Sequence, residues 1–203
     1  MKELFTNIYK KNRWRNSESV SGSGSSLTQT KTLIQELPSI IKQLQIKKMI
    51  DAPCGDFNWM KEVYKNTELY IGIDIVDEII KTNKKKYPLN NVQFLNMDIT
   101  KDRLPTGDLI LCRDCLVHFS LSDIHLALNN FKASQSRYLL TTTFTNHSCN
   151  HEIRTGSWRP LNLEIEPFNF PKPILVINEN CTEGEMNFAD KSLALWDLNL
   201  INS

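Results

Sequence analysis

The chain of 203 residues has the length of a single domain, since two ordinary domains would need more. Hydrophobic residues make up 40% of it, enough for a core, and the net charge of +1 argues against a broad electrostatic nucleic-acid binder. The five cysteines lack disulfide spacing, no apolar run is long enough to span a bilayer, and no signal peptide is evident. We therefore expect a cytoplasmic protein with free thiols, no membrane span and no nucleic-acid partner.

The first part of the chain predicts a flexible loop followed by a helix. Residues 17–26 read SESVSGSGSS, a composition typical of a loop or a linker. From Leu27 to Leu44, leucines and isoleucines recur on one helical face. Pro38 lies inside this pattern, so we expect either a kink or two short helices.

The middle of the chain alternates between short apolar strands and amphipathic helices. We expect strands at 48–52, 69–74, 92–97, 108–113 and 137–143, and helices at 57–64, 76–86 and 122–132. This alternation predicts parallel βαβ units in an open α/β sheet. Residues 146–173 hold four of the eight prolines and predict a long loop or lid, and segments 174–178 and 193–198 predict a closing antiparallel hairpin.

The sequence DAPCGD at residues 51–56 directly follows the first predicted strand. Gly55 allows a tight turn with room for a ligand, and Asp51 and Asp56 can accept hydrogen bonds from hydroxyl or ammonium groups. Neither the dinucleotide fingerprint G-x-G-x-x-G nor the phosphate loop G-x-x-x-x-G-K-[ST] is present in the sequence. The loop therefore favours a cationic or neutral ligand over a pyrophosphate.

Two further carboxylates follow the next two predicted strands. Asp74 lies 19 positions after Gly55, close to the spacing at which an acidic residue binds the ribose hydroxyls of an adenosine. Asp98 is placed where a carboxylate can accept from the adenine amine. Three acidic residues at successive strand ends together predict a site for an adenosine-containing ligand.

These segments resemble motifs I to IV of the class I S-adenosylmethionine-dependent methyltransferases. The resemblance rests on the loop 51–56, on Gly72-Ile-Asp74, on Asp98 with Ile99, and on the sequence DLILCRD at 108–114. It implies a Rossmann-like α/β fold, with helices on both faces of a mostly parallel seven-stranded sheet. The implied strand order is 3-2-1-4-5-7-6, with strand 7 antiparallel.

The first loop departs from the glycine-rich pattern of that family, because only Gly55 remains. It is similar instead to a sub-branch found in bacteria and large DNA viruses, which for a viral protein implies the host cytoplasm. Further features of that sub-branch are SGSGSS at 21–26, RDCLVH at 113–118, GSWRPLNLE at 156–164 and PFNFP at 167–171. Part of the sub-branch resembles enzymes that methylate sugars of glycans.

The resemblance implies S-adenosylmethionine as the methyl donor and S-adenosylhomocysteine as the product. Asp51 and Gly55 would flank the methionine part, Asp74 would bind the ribose, and Asp98 with Ile99 would bind the adenine. The loop 19–26 would close over the donor. The full set of expected donor-binding residues is Ser25, Gln29, Asp51, Pro53, Gly55, Asp56, Trp59, Asp74, Ile75, Asp98, Ile99 and Arg113.

Asp114 and His118 follow the fourth strand, where the family places its catalytic groups. They are four residues apart, so a helical turn would put them on one face. Methyl transfer to a hydroxyl benefits from a base that takes the proton, and either residue can serve. The alternative is that Asp114 caps a helix and His118 is a packed surface residue.

The spacing Cys112-x-x-Cys115 lacks the second pair that a zinc site needs, so we expect no metal site. A Mg²⁺ ion held by Asp114 and another carboxylate is the less favoured alternative.

Two loop segments with tryptophan beside arginine are candidates for the acceptor site. Tryptophan faces stack on sugar rings, and arginine and asparagine reach ring hydroxyls. The alternative for each tryptophan is core packing. The expected acceptor-binding residues are Trp14, Arg15, Arg154, Trp158, Arg159 and Asn162.

The sequence thus predicts an S-adenosylmethionine-dependent O-methyltransferase that acts on a sugar hydroxyl of a glycan, for example a terminal deoxysugar such as rhamnose. Alternatives are a small-metabolite or protein acceptor, and a nucleoside-binding module without catalysis. We expect one domain over 1–203, either alone or within a larger glycan-synthesis enzyme. Its parts would be an N-terminal cap at 1–46, a donor-binding half at 47–145, an acceptor loop at 146–173 and a C-terminal hairpin at 174–203.

Overall fold

The computed structural model describes residues 1–201 except for the side chain of Met186. Within this range the chain forms four α-helices and seven strands, joined by loops and short 3₁₀ turns. The helices are α1 (Lys2–Lys10), α2 (Lys31–Gln43), α3 (Asp77–Lys86) and α4 (Leu121–Ala133). The strands are β1 (Lys48–Asp51), β2 (Leu69–Asp74), β3 (Val92–Asn96), β4 (Leu109–Cys112), β5 (Tyr138–Phe144), β6 (Leu175–Asn178) and β7 (Lys191–Asp197). The predicted hairpin region ends with Asn202 and Ser203, which lie outside the described residues.

The strands form one sheet in the order β3-β2-β1-β4-β5-β7-β6. Neighbours from β3 to β5 are parallel, whereas β7 is antiparallel to both β5 and β6. The predicted Rossmann-like α/β fold, its strand order and its antiparallel strand 7 are confirmed. Because β1 lies between β2 and β4, the chain order reverses beside it, and ligands of open α/β sheets bind at that point.

Helices cover both faces of the sheet. On one face α2 buries Leu33, Leu37 and Ile41 against residues of the central strands. On the other face α4 buries Ile124 and Phe131 in a second cluster, which also contains residues of α1 and the fully buried Trp196. Within residues 1–201 no helix has the length and apolar character required to cross a bilayer.

Helix α2 runs without interruption through Pro38, so it does not divide into two short helices. A proline inside a helix removes one hydrogen bond and costs about 3 kcal/mol. Leu33, Leu37 and Ile41 are each at most 2% exposed, and full burial of one such side chain contributes about 1.5–3 kcal/mol. Packing of this face therefore outweighs the cost of the proline.

The helix predicted at 57–64 is replaced by two 3₁₀ turns, Met60–Glu62 and Tyr64–Asn66. Phe57 has a φ of 61°, in the left-handed region, which is incompatible with a continuous helix from this residue. This conformation places the buried Phe57 ring against Tyr70 and Phe94, with centroid distances of 5.0 and 5.4 Å. Aromatic packing thus prevails over local helix propensity here.

Candidate functional site

The carboxyl ends of β1 to β4 open into a cleft of about 1020 Å³, a volume that includes its open mouth. Most of the expected donor-binding residues line it, namely Ser25, Asp51, Pro53, Gly55, Asp56, Trp59, Asp74, Ile75, Asp98, Ile99 and Arg113. Both expected catalytic residues, Asp114 and His118, also line it.

Asp51 ends β1 at the floor of this cleft and is 3% exposed. Its Oδ2 accepts a hydrogen bond of 2.5 Å from the hydroxyl of Tyr70. Burial, supported by the neighbouring carboxylate of Asp74, raises the pKa of Asp51 to about 7 although the Tyr70 hydrogen bond lowers it. Asp51 is therefore a buried acid that changes charge near neutral pH.

Asp74 ends β2 and is held by backbone N–H groups from two sides. Its Oδ1 accepts from the N–H of Val76 at 2.8 Å, and its Oδ2 accepts from the N–H of Gly55 at 3.2 Å. Burial raises the pKa of Asp74 to about 6 despite these hydrogen bonds. Gly55 adopts a φ of 50°, a conformation that glycine tolerates without strain, and this brings its N–H to Asp74.

Asp98 follows β3 in a short turn that its own side chain stabilises. Its Oδ1 accepts hydrogen bonds from the N–H and the hydroxyl of Thr100, at 3.0 and 2.6 Å. Ile99 beside it is buried. The series of acidic residues predicted at three strand ends therefore meets along one wall of the cleft.

The serine and glycine loop at 17–26 lies over the β1 loop. Both oxygens of Asp56 hold it: Oδ1 accepts from the Ser19 hydroxyl at 2.9 Å, and Oδ2 accepts from the N–H of Val20 at 3.0 Å. Ser21 packs directly on Gly55, where a β-carbon would lie 2.0 Å from its hydroxyl oxygen. Asp56 thus holds the loop at 17–26 in place through two hydrogen bonds, a role that the sequence did not indicate.

One expected donor-binding residue lies outside the cleft, and three N-terminal cleft residues were not expected. Gln29 does not line the cleft, because its amide donates to the hydroxyl of Thr182 at 2.7 Å on the outside of the loop. Conversely, Met1 and the α1 residues Phe5 and Tyr9 line the cleft, although they were not among the expected site residues. The apolar face of α1 was the only available signal, and it does not distinguish a cleft wall from core packing.

A network of four charged residues closes the far side of the cleft. The Arg113 guanidinium pairs with Glu179 at 2.6 Å, and Lys191 pairs with Asp114 at 2.7 Å. Arg113 also contacts Asp114 at 3.2 Å, and its guanidinium lies 5.7 Å from the ring centroid of Trp59. Glu179 directly follows β6 and Lys191 begins β7, and no local sequence signal marks either residue.

Asp114 is committed to this network. Although burial opposes ionisation, Arg113 and Lys191 hold the pKa of Asp114 far below its usual range. Its φ of 50° shows that it does not begin a helical turn with His118. The 3₁₀ turn starts only at Leu116, so the expected helical i, i+4 relation is absent, even though both side chains reach the cleft.

His118 ends that turn at the mouth of the cleft. Its Nδ1 lies 2.8 Å from the carbonyl oxygen of Ser157. A carbonyl only accepts, so Nδ1 carries the ring proton of the neutral imidazole and Nε2 keeps its lone pair. Burial lowers the pKa of His118, although the Ser157 carbonyl and Asp114 act in the opposite direction. The ring is therefore neutral at pH 7 and can accept a proton at Nε2.

Of the two expected acceptor tryptophans, Trp14 lies beside His118, whereas Trp158 does not line the cleft. The ring of Trp14 lies 5.7 Å from the His118 ring, and Trp14 lines the cleft. Trp158 is 42% exposed and packs edge-on against Phe188 at 4.8 Å and against Phe144 at 6.0 Å. Phe188 precedes β7 and was not selected from the sequence.

The remaining expected acceptor residues lie elsewhere. Arg159 is 5% exposed and binds backbone carbonyls, and Asn162 is 6% exposed and donates to the carbonyl of His147 at 2.9 Å. Both side chains organise the loop at 146–173 and are not presented to a ligand. Arg15 and Arg154 are exposed and do not line the cleft.

Metal-binding groups do not cluster in the described part of the chain. Among residues 1–201, no three histidine, cysteine, aspartate or glutamate side chains are arranged to hold a metal ion.

Several solved structures that share this fold are methyltransferases. Magnesium protoporphyrin IX methyltransferase from Synechocystis, with bound S-adenosylhomocysteine, superposes with a TM-score of 0.55 at 14% identity, over 70% of this chain and 71% of that one. The N-methyltransferase NodS from Bradyrhizobium japonicum, also with S-adenosylhomocysteine, gives 0.52 at 13% identity, over 68% and 74%. The methyltransferase domain of a bacterial Hen1 protein gives 0.51 at 15% identity, over 57% and 66%.

At these identities the likeness establishes the fold: the chain has the fold of the class I S-adenosylmethionine-dependent methyltransferases. It spans just under two thirds of the length of the Hen1 domain. No protein-family model and no curated protein sequence matches the chain.

Proposed function

We propose that this protein is an S-adenosylmethionine-dependent O-methyltransferase. Two observations carry the proposal: an acidic cleft lies at the switch point of a methyltransferase fold, and His118, which lines it, has its Nδ1 2.8 Å from the Ser157 carbonyl, so that Nε2 is left to accept a proton. The expected division into a donor-binding half at 47–145, covered by the segment 1–46, belongs to this proposal.

The residues of the cleft suit the proposed donor. The sulfonium and ammonium groups of S-adenosylmethionine are cationic, and Asp51 and Asp74 supply buried negative charge near neutral pH. The Asp74 carboxylate ends β2, where ribose hydroxyls are bound in related α/β sheets. Asp98 and Ile99 on the next strand end would bind the adenine. When bound, the donor supplies an electrophilic methyl group.

His118 would act as the general base. Its Nε2 accepts the proton of the acceptor hydroxyl while the hydroxyl oxygen forms a bond to the methyl carbon. The carbon–sulfur bond breaks in the same step, and its electron pair stays on sulfur, giving neutral S-adenosylhomocysteine. Asp114 is a weak base because Arg113 and Lys191 stabilise its ionised form. We therefore assign it to the charged network that shapes the site.

The proposed acceptor is a sugar hydroxyl of a glycan. Support comes from the exposed Trp158 with Phe188, because aromatic faces pack against the apolar faces of sugar rings. Trp14, whose ring lies 5.7 Å from the His118 ring, offers a second such surface. The acceptor loop at 146–173 and the C-terminal hairpin would frame this opening.

Incubation with methyl-labelled S-adenosylmethionine and a panel of acceptors tests the proposal. The panel contains deoxysugar glycosides such as rhamnosides, small hydroxylated metabolites and peptides, and mass spectrometry reads the added methyl group. His118→Ala should lower kcat by about 10²- to 10⁴-fold and leave donor affinity intact. His125→Ala is the matched control, since His125 lies on α4 against Phe168 and should keep full activity.

Transfer to peptides or metabolites alone would refute the glycan acceptor and keep the donor assignment. Donor binding without transfer to any acceptor would favour a nucleoside-binding module. Full activity of His118→Ala would remove His118 as the base.

A further inference from the structure

Arg159 makes an unusual set of contacts for a residue expected to bind substrate. Its guanidinium donates four hydrogen bonds, all to backbone carbonyls. Nη1 donates to Leu116 and Val117 at 3.2 and 3.1 Å, Nη2 to Phe119 at 3.0 Å, and Nε to His151 at 3.0 Å. Three of the four hydrogen bonds thus join the side chain to the turn that contains His118, and the fourth joins it to His151.

This turn needs outside support. The 3₁₀ segment Leu116–His118 has only three residues, and so short a helix makes few internal hydrogen bonds. Within the turn the Leu116 carbonyl accepts from the N–H of Phe119 at 3.1 Å. No helical turn follows directly, and a cation at a helical C-terminus stabilises the terminal carbonyls. The planar Arg159 guanidinium meets three of the four successive carbonyls from residue 116 to residue 119.

The segment 156–159 also controls the imidazole itself. The N–H of Gly156 donates to the carbonyl of His118 at 2.8 Å, and the N–H of Arg159 donates to Val117 at 3.1 Å. Ser157, two residues before Arg159, supplies the carbonyl that accepts from His118 Nδ1. Backbone and ring of His118 are therefore fixed by the segment that Arg159 anchors.

We infer that Arg159 is a positioning residue for His118: its guanidinium holds the 116–119 turn against the 156–159 segment, so that His118 keeps its proton on Nδ1 and its lone pair on Nε2. The inference rests on the proposed function insofar as His118 is the base. Other charged groups that act on His118 are Asp114 and Lys191, and they belong to a different part of the site.

The test measures the protonation of His118 directly by ¹⁵N nuclear magnetic resonance on wild type, Arg159→Lys and Arg103→Lys. His118→Ala identifies the His118 signals by their loss. Lysine keeps the positive charge, but its ammonium group cannot reproduce the planar, multi-donor geometry of the Arg159 guanidinium. The exposed Arg103 is the matched control, and its variant should match wild type in every measurement.

In wild type at pH 8 we expect Nδ1 to be protonated and Nε2 to be free. In Arg159→Lys the proton should be shared between the two nitrogens. The same change should lower kcat by about 10- to 100-fold, the effect of displacing a catalytic group by about 1 Å, while donor affinity stays unchanged. Ethylguanidinium added to Arg159→Ala should restore the tautomer and part of kcat.

A folded Arg159→Lys with wild-type His118 signals would overturn the inference. Loss of folding in both Arg159→Lys and Arg159→Ala, measured by circular dichroism, would also overturn the inference, because Arg159 would then be a purely structural residue. The proposed function can fail separately. If wild type binds no donor but its His118 tautomer still depends on Arg159, the proposed enzymatic activity is refuted and the positioning role of Arg159 remains.

Discussion

Replacing Asp51 with asparagine should stabilise the protein at high pH while weakening the donor site. The introduced amide keeps an oxygen that can accept from the Tyr70 hydroxyl, so the substitution removes mainly the charge. The pKa of Asp51 is raised from 3.8 to about 7 in the folded protein, so the folded state holds the proton more tightly than the unfolded state does. The stability from this group is complete below the unfolded pKa and is lost as the pH rises through the folded pKa.

The size of the effect follows from that window. Between pH 5 and pH 7 the loss is about 1.4 kcal/mol per pH unit, so wild type should lose about 3 kcal/mol from this group between pH 5 and pH 8. The free energy of unfolding is measured in urea at pH 5 and at pH 8. Between these two pH values it should fall by about 3 kcal/mol more in wild type than in Asp51→Asn. Glu62→Gln, at an exposed carboxylate, serves as the control. Identical pH dependence in wild type and Asp51→Asn would refute the reasoning.

Two further substitutions test the acceptor surface and the core. Trp158→Ala should raise the acceptor KM in steady-state kinetics and leave donor affinity unchanged. The reason is that its exposed ring packs against Phe188 and Phe144 and does not line the donor cleft. An unchanged KM would remove Trp158 from the acceptor site. Trp196→Ala should destabilise the fold by about 3–5 kcal/mol in urea unfolding, because the ring is 1% exposed and its Nε1 donates to the carbonyl of Pro171 at 2.8 Å. A cost below about 1 kcal/mol would contradict the assignment of Trp196 to the core.

Local patterns were sufficient to predict the order of the central elements. Apolar segments that alternate with amphipathic ones marked the strands, and acidic residues directly after three of them marked the cleft wall. Asp51, Asp74 and Asp98 could be grouped because the carboxyl ends of parallel strands meet at one edge of a sheet. The resemblance to a known family then supplied the full strand order, including the antiparallel strand.

Long-range pairings could not be predicted in this way. Glu179 is 66 positions from Arg113, and nothing local in either segment indicates that the two side chains meet. Their pairing depends on where β6 and β7 join the sheet. The left-handed conformations of Phe57 and Asp114 were missed for a related reason, because tertiary contacts favour them over the helical pattern of their neighbours.

Arg159 illustrates a different limit. An arginine beside a tryptophan in a polar loop is consistent with ligand binding and equally with capping of a distant turn. The choice depends on whether backbone carbonyls lie within reach of the guanidinium, and the sequence does not contain that information. The structure places four carbonyls there.

Titration calorimetry of S-adenosylmethionine into wild type and Asp74→Ala at pH 8 tests the central claim most directly. At this pH Asp74, with a pKa of about 6, is ionised in the folded protein. We expect wild type to bind one donor molecule per chain and to give no heat with NAD. Asp74→Ala should weaken donor binding by about 1–3 kcal/mol, the cost of a lost charge-assisted hydrogen bond. No binding by wild type, or equal affinity in the two proteins, would contradict the account.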